Sequence, residues 1–299
     1  MDISEEDPVW LKAKADDFFR TGDYLSAVNA YSAAIDIDES MLSCFSNRSA
    51  CYLKLRMYQE CKDDCTLVVD ALQNSQPPAD IQSSQVPMKL KVMLRRGVSN
   101  CSLGFYDQAL DDYRFVKFQL ESGVELTGIS VSSLDEDISR ITTLISADEL
   151  KKSADEKLTQ NLLSEAISLY SRALVTLPLH VGCLANRATC FIALGELRGC
   201  IDDTTEALRI LRSDGGKGDA LENGISLLTS VLPPQGSEKR KSWLMKVLAK
   251  RGAAYAQLGD LENAISDYSQ LLALDPKNGS IMSDLTRLKN LKAQNGNAQ

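Results

Sequence analysis

The chain has 299 residues, of which 44% are hydrophobic, and a formal net charge of -8 at pH 7. That hydrophobic content is sufficient for a continuous core, whereas the acidic balance argues against a general affinity for nucleic acid or anionic lipid. No apolar run approaches the roughly eighteen residues that a membrane-spanning helix requires. We therefore expect protein or peptide partners, with no nucleic acid and no membrane among them.

Cysteine usage predicts a reducing compartment. The eight cysteines fall within apolar helical patterns, without the paired spacing of a metal site, and residues 1–7 are acidic, unlike a secretory signal. We interpret Cys61 and Cys65 as small packing groups. The expectation is a cytoplasmic protein with no disulfide, no metal and no cofactor.

A helical hairpin is the first predicted element. Small and large apolar residues alternate at helical spacing on both sides of a short turn at Gly22 and Asp23. This pattern suits two antiparallel helices packed closely at Ala15 and Ala27. The other apolar positions are Leu11 and Phe18 before the turn, and Tyr31 and Ala34 after it.

The hairpin pattern recurs along the chain. It resembles the tetratricopeptide repeat of about 34 residues, which has a small residue in its first helix, a Gly-Asp-Tyr-like turn and two alanines in its second helix. Six repeats on this frame begin at Pro8, Leu42, Leu90, Ala147, Val181 and Met245. The resemblance implies an all-α fold, a solenoid of helical hairpins.

A duplication divides the chain into two similar halves. Residues 46–51 (SNRSAC) return as residues 185–190 (ANRATC), 139 positions later, and the same interval separates Lys12 from Lys151. We therefore predict two three-repeat superhelical units, residues 8–146 and residues 147–293, followed by a frayed tail at 294–299.

Each predicted unit ends in a capping helix, because a helical array exposes an apolar face at its end unless that face is covered. The capping segments are residues 123–146 and 280–293. Their apolar residues at helical spacing are Leu134, Ile138, Ile141 and Ile145 in the first, and Ile281, Leu285, Leu288 and Leu291 in the second.

Each half also carries an insertion before its third repeat. Residues 74–87 are rich in Ser, Gln and Pro, which indicates a loop or lengthened helix ends. The second insertion, 213–237, contains the apolar stretch 225–232. We favour a short helix packed on the array over a mobile partner-binding element for this stretch.

Candidate functional residues lie on the first helix of each hairpin, which lines the concave surface in tetratricopeptide repeats. Lys91 and Arg95 are four residues apart and therefore share one helical face. The set resembles the carboxylate clamp of co-chaperones, in which two lysines, an arginine and two asparagines hold the acidic C-terminal tails of cytosolic Hsp70 and Hsp90 chaperones. The matching residues of the first groove are Lys12, Asp16, Asn47, Lys91 and Arg95.

The chemistry of this set suits a carboxylate ligand. Charge-assisted hydrogen bonds of about 1.5–3 kcal/mol each outweigh desolvation when several donors are preorganised. Residues 89–96 carry four basic residues and residues 239–251 carry six, with no acid in either stretch. Such stripes would steer an acidic peptide towards the grooves.

Asp16 departs from the clamp, because it stands where the clamp has its first asparagine. An acid there repels a ligand carboxylate unless Lys12 or a neighbouring donor neutralises it. The second half repeats the set with the same departure, and Lys250 replaces the arginine and so loses its planar fork. The residues of the second groove are Lys151, Asp155, Asn186, Lys246 and Lys250.

Other interpretations of the same residues stay open. Basic side chains on exposed helix faces are commonly solvated charge, and the chain is then a scaffold that binds other proteins without any chaperone-tail activity. Nucleic-acid binding is disfavoured by the overall acidity and by the lack of interleaved aromatic residues. Catalysis is not indicated: His180 is interpreted as a surface turn residue, and residues 215–218 lack the rest of a phosphate-binding loop.

A further resemblance is to the dynein axonemal assembly factors. It is carried by residues 8–12 (PVWLK), 24–31 (YLSAVNAY) and 47–55 (NRSACYLKL). It implies an adaptor that acts with heat-shock chaperones in the cytoplasmic preassembly of ciliary dynein arms, although that family usually carries one three-repeat unit and this sequence carries two. We predict a non-enzymatic co-chaperone adaptor whose client proteins the sequence does not identify.

Overall fold

Thirteen helices and no strands form the described part of the computed structural model, residues 7–74, 79–213, 225 and 230–296. This architecture confirms the all-α prediction of helical hairpins. In chain order the helices are α1 (Pro8–Thr21), α2 (Tyr24–Ile37), α3 (Leu42–Lys54), α4 (Tyr58–Asn74), α5 (Ala79–Leu103), α6 (Tyr106–Glu121), α7 (Val131–Thr159), α8 (Leu163–Thr176), α9 (Val181–Leu194), α10 (Leu197–Arg212), α11 (Glu238–Gln257), α12 (Leu261–Leu274) and α13 (Gly279–Gly296).

The first hairpin, α1 and α2, shows why these residues form this element. Helix α1 ends at Gly22, whose left-handed φ of 82° lets its N–H reach the carbonyls of the last turn. Asp23 then begins α2 by accepting the Ser26 N–H at 3.1 Å. Ala15 and Ala27 are fully buried, as expected where two helices pack closely.

The insertions lengthen helices as well as connecting them. Helix α4 runs to Asn74 and α5 begins at Ala79, so the described part of the 74–87 insertion forms lengthened helix ends. Residues 75–78 lie outside the described residues. Helix α7 likewise joins the predicted capping segment 123–146, which is helical from Val131, to the first helix of repeat four without a break.

The chain divides into two compact units. The first unit holds the described residues up to Thr142 together with Ile225, and the second holds residues 143–213 and 230–296. The expected division at 146/147 and the observed one at 142/143 both fall within α7.

In the first unit, α7 buries two of the apolar residues expected of a capping helix, Leu134 and Ile141. Ile225 is also buried in this unit, where its N–H donates to Asp137 Oδ1 at 2.8 Å. Residues 214–224 and 226–229, which include four residues of the second insertion's apolar stretch, lie outside the described residues.

In the second unit, Arg240 holds the two ends of the second insertion. Its guanidinium is buried and donates to the carbonyl of Leu211 at 2.9 and 2.7 Å, to that of Ser213, and to that of Pro233 at 3.2 Å. Leu232 packs into the main hydrophobic core of this unit. The described residues at the C-terminal end of the stretch are therefore packed, as favoured from the sequence.

Helix α13 ends the second unit. Leu285 and Leu288 are buried and Ile281 packs on the core, in keeping with a cap over repeat six, but Leu291 is exposed. The helix continues to Gly296, so residues 294–296 are helical where a frayed tail was expected. Residues 297–299 lie outside the described residues.

Four bidentate ion pairs brace the hairpins of both units. In each, an arginine on the first helix uses Nε and Nη2 to bind both carboxylate oxygens of an aspartate sixteen residues later, at 2.6–2.9 Å. The aspartates are buried. The pairs are Arg48–Asp64, Arg96–Asp112, Arg187–Asp203 and Arg251–Asp267.

Candidate functional site

Asp16 is the centre of a hydrogen-bond network in the first unit. Its Oδ2 accepts from Lys12 Nζ at 2.7 Å, and its Oδ1 accepts from the Tyr31 hydroxyl and from Asn47 Nδ2, the latter at 3.0 Å. Lys12 and Asp16 lie on one face of α1, whereas Tyr31 is on α2 and Asn47 on α3. Three helices thus converge on one carboxylate.

These contacts set the charge state of the network. Burial raises the pKa of Asp16, but the hydrogen bonds from Lys12, Tyr31 and Asn47 and the charge of Lys12 outweigh it, and the pKa lies below its ordinary value. Burial and the nearby Asp16 raise the pKa of the Tyr31 phenol, so the hydroxyl remains a donor. Asp16 is therefore a neutralised carboxylate, not an open negative charge.

Arg95 and Lys91, both on α5, have different environments. Arg95 Nη1 donates to the Ser46 carbonyl at 2.9 Å and to Ser46 Oγ at 3.3 Å. Lys91 is exposed, and its ammonium forms no hydrogen bond or ion pair with the residues that the structure describes. Lys91 is thus the predicted groove residue whose charge remains available to a ligand.

A cavity of about 290 Å³ opens beside Asp16. It brings together three of the five predicted residues of the first groove, while Lys12 adjoins it through Asp16 and Lys91 does not line it. The lining residues are Asp16, Phe19, Arg20, Tyr31, Asn47, Ala50 and Arg95. Its polar wall and aromatic rings suit the end of a peptide chain.

The second unit repeats the network 139 residues later. Asp155 Oδ2 accepts from Lys151 Nζ at 2.5 Å, and its Oδ1 accepts from Asn186 Nδ2 at 2.9 Å and from the hydroxyl of Tyr170. Burial raises the pKa of Asp155, but these donors again outweigh it and the pKa is lowered. The sequence duplication is therefore also a duplication of side-chain geometry.

The basic residues of α11 correspond to those of α5, with Lys250 in the position of Arg95. Lys250 Nζ donates to the Ala185 carbonyl at 2.8 Å, which is the counterpart of the Ser46 carbonyl bound by Arg95. Burial and the nearby charge of Lys246 lower the pKa of Lys250. Lys246 is exposed, as Lys91 is in the first unit.

Two members of the network, Tyr31 and Tyr170, are not among the site residues predicted from the sequence. Tyr31 is predicted only as an apolar position of the first hairpin, but its hydroxyl and that of Tyr170 each bind an aspartate fifteen residues earlier. The signal was present, because an aspartate and a tyrosine recur at this spacing in both halves. When two polar residues occur at the same spacing in both copies of a duplicated unit, a contact between them is indicated.

His180 is half-buried rather than a simple surface turn residue. Its Nδ1 accepts the Cys183 N–H at 3.3 Å and so caps α9. Burial, followed by the charge of Lys151, lowers the pKa of His180. The imidazole is held neutral beside the second groove.

Across residues 7–74, 79–213, 225 and 230–296, no three His, Cys, Asp or Glu side chains are grouped as metal ligands. Within the same ranges, no helix combines the length and the apolarity needed to cross a bilayer.

Comparison with known proteins supports the repeat assignment. The tetratricopeptide repeat model matches residues 245–278, beginning at the residue predicted to start repeat six. Dynein axonemal assembly factor 4 from Pongo pygmaeus is 35% identical over 114 residues, which is 38% of this chain and 26% of that protein. The match thus spans about a quarter of the relative's length.

Two longer similarities extend over nearly the whole chain. Hsp70-Hsp90 organizing protein from Triticum aestivum is 21% identical over 276 residues, covering 90% of this chain and 41% of that protein. The solved structure of the P58(IPK) TPR domain has a TM-score of 0.50 and 20% identity, and covers 97% of this chain and 67% of that one. The structural similarity shows the fold.

Proposed function

Because the chain is a tetratricopeptide repeat protein, we propose that its two units are adaptor modules that hold the acidic C-terminal tails of Hsp90- and Hsp70-type chaperones. The adaptor has no catalytic step and works in the cytoplasm, where it presents multi-subunit clients, such as axonemal dynein, for assembly. The similarity to an Hsp70-Hsp90 organizing protein and to a dynein axonemal assembly factor supports this choice of partners.

One observation carries the proposal. Donors from three helices of the first unit already converge on a carboxylate, that of Asp16, and the same arrangement surrounds Asp155. A chain terminus offers the same chemical group. Charge-assisted bonds to such a group are strong when their donors are held in place by the fold.

Free charge beside each network supports an acidic ligand. Lys91 and Lys246 are exposed, and Arg95 lines the cavity next to Asp16. Cations at and beside a groove raise the local concentration of an anionic peptide. We expect micromolar affinity, about -8 kcal/mol, for a tail of about five residues.

The test is calorimetric titration of a peptide ending Met-Glu-Glu-Val-Asp into the full chain. Micromolar binding should weaken at least fivefold in Lys91→Ala or in Lys246→Ala, which reports the groove that is used. Lys14→Ala, an exposed lysine on α1, is the charge-matched control and should bind as the wild type does. The same peptide with a C-terminal amide should not bind.

A scaffold that binds other proteins is the alternative function. The observation in its favour is that Lys12 and Asn47 are already engaged with Asp16. If the wild type has a helical spectrum but shows no heat of binding with the acidic peptide, the chaperone-tail function is wrong and the scaffold function stands.

A further inference from the structure

The predicted clamp donors of each groove are bound to an aspartate of the same groove. In the first unit Asp16 takes up the Lys12 ammonium and the Asn47 amide, and in the second Asp155 takes up Lys151 and Asn186. Asp16 and Asp155 are thus placed where a ligand carboxylate would use the same donors.

We propose that Asp16 and Asp155 are specificity-determining residues that act as internal competitors for the terminal carboxylate of a bound tail. This inference rests on the proposed function, and deepens it by naming the groups that set ligand choice. A terminal carboxylate on its own would have to displace an aspartate that already binds the same donors. The groove therefore selects tails in which further acidic side chains precede the terminal carboxylate and make additional contacts.

Proximity makes the competition unavoidable. A ligand carboxylate that reached both Lys12 Nζ and Asn47 Nδ2 would lie within a few ångströms of Asp16, since both donors contact that side chain at 2.7 and 3.0 Å. Two ionised carboxylates at such a separation disfavour each other's charge. The ligand must therefore compensate with other contacts.

The compensating contacts are available outside the network. Lys91 in the first unit and Lys246 in the second are exposed, and Arg20 and Arg95 line the cavity beside Asp16. Acidic side chains upstream of the ligand terminus can use these cations without contacting the aspartate. A tail with several acids therefore binds, whereas a neutral tail with only its terminal carboxylate does not.

Replacing the aspartate by asparagine should release the donors. In Asp16→Asn the new amide would keep an oxygen for the Tyr31 and Asn47 donors, but its NH₂ group cannot accept from Lys12 Nζ. The lysine would then be free for the ligand, and the groove would gain one unit of positive charge. Tail affinity should rise, not fall.

The duplicated network provides a second, independent test of the same idea. Both units have Lys-x-x-x-Asp on the first helix, and in both the aspartate binds a lysine, a tyrosine and an asparagine. Asp155→Asn should therefore act on the second groove as Asp16→Asn acts on the first. If one variant folds poorly, the other still tests the proposal.

Matched controls exist in both units. Glu60 is an exposed acid on α4 and Glu156 an exposed acid on α7, whereas Asp17 is unsuitable because it pairs with Arg20, which lines the cavity. Glu60→Gln and Glu156→Gln remove the same charge from the same units without touching the networks or the cavity. They separate a specific release of donors from a general change in net charge.

The experiment is titration of the full chain and its variants with two peptides, Met-Glu-Glu-Val-Asp and Met-Gln-Gln-Val-Ala, both with free carboxylates. We expect at least a tenfold gain in affinity for the first peptide in Asp16→Asn or Asp155→Asn, less than a twofold change in the controls, and measurable binding of the second peptide only in the two Asp→Asn variants.

Two results would overturn the inference, and they can be told apart. If the wild type binds the acidic peptide through Lys91 or Lys246 but neither Asp→Asn variant binds more tightly than its control, the inference alone is wrong. If no variant binds either peptide while all keep the helical spectrum of the wild type, the proposed function is wrong as well.

Discussion

Arg48 and Asp64 form a two-pronged ion pair, in which Nε and Nη2 of the arginine donate to the two carboxylate oxygens at 2.9 and 2.8 Å. The same arginine donates through Nη1 to Ser32 Oγ at 2.9 Å. It therefore ties α3 to α4 and also to α2. The pair belongs to the framework that holds Asn47, its neighbour in sequence, against Asp16.

Loss of this pair should destabilise the first unit strongly. The Arg48 and Asp64 side chains are only 16% and 8% exposed, so Arg48→Ala leaves a buried carboxylate without its partner. We expect a loss of about 3–5 kcal/mol in the free energy of unfolding, measured by urea denaturation. Arg20→Ala, which breaks the exposed pair with Asp17, should cost about 0–1 kcal/mol. Equal losses in the two variants would contradict this account.

Replacing Gly97 by alanine should lower the stability of the first unit. An added Cβ would lie 2.6 Å from the ring of Tyr113, a buried residue of α6. Relief of that overlap requires a shift of the ring or of the helices, with an expected cost of about 1–3 kcal/mol. Gly279→Ala meets nothing within 4 Å and should leave the melting temperature unchanged or raise it slightly.

The two Asp networks should stabilise the protein only above acidic pH. The pKa of Asp16 and that of Asp155 are lowered in the folded state, so between the folded and ordinary values the unfolded chain binds more protons. The stabilisation is thus present above the ordinary pKa of about 4 and is lost as pH falls through the folded pKa.

The double variant Asp16→Asn/Asp155→Asn tests that linkage. The difference in unfolding free energy between it and the wild type should shrink as pH falls from 6 to 3. Glu60→Gln/Glu156→Gln, which removes the same net charge outside the networks, serves as the control. A difference that stays constant over this range would mean that neither aspartate is stabilised in its ionised form.

His180 gives a second pH-dependent signal near neutrality. Burial, then the Lys151 charge, lowers its pKa, and only the neutral imidazole can accept the Cys183 N–H. As pH decreases, His180 is therefore protonated in the unfolded chain at a higher pH than in the folded protein. The free energy of unfolding should fall as pH decreases below about 6.5, the ordinary pKa of histidine.

The measurement for His180 is direct, because the chain has one histidine. Its imidazole resonance should titrate with a midpoint below that of a histidine peptide. The surrounding charges are Lys151, Asp148 and Asp155. Lys151→Met should move the midpoint upwards, and a midpoint at or above the peptide value in the wild type would refute the capping role.

The repeat framework was predictable from sequence for a simple physical reason. Close helix packing admits only small residues, so Ala15 and Ala27 identify the first hairpin, and a glycine marks the turn in four of the six repeats. The continuous helix α7 was not predictable in this way, since an apolar pattern does not state whether two adjacent helical segments share one axis. The boundary between a cap and a repeat depends on packing.

The candidate site likewise has a part that the sequence predicts and a part that it does not. Lys12, Asn47 and Arg95 could be placed near one another from their repeat positions, and the structure brings them to Asp16 and its cavity. Their hydrogen-bond partners could not be chosen from spacing alone, because Lys12 could equally have pointed to solvent. Asp16 is neutralised because the Lys12 side chain turns towards it, and the position of Lys12 on its helix does not determine that direction.

Arg240 fixes the carbonyls of Leu211 and Ser213 on one side of the second insertion and that of Pro233 on the other. Between these ends Ile225 is buried in the first unit, where its N–H donates to Asp137 Oδ1 at 2.8 Å. Since closing a longer loop costs little more than closing a shorter one, the distance between Leu211 and Pro233 depends on Arg240 more than on the number of residues that join them. A change in the length of the second insertion should therefore be tolerated where it leaves Ile225 and the carbonyls bound by Arg240 in place.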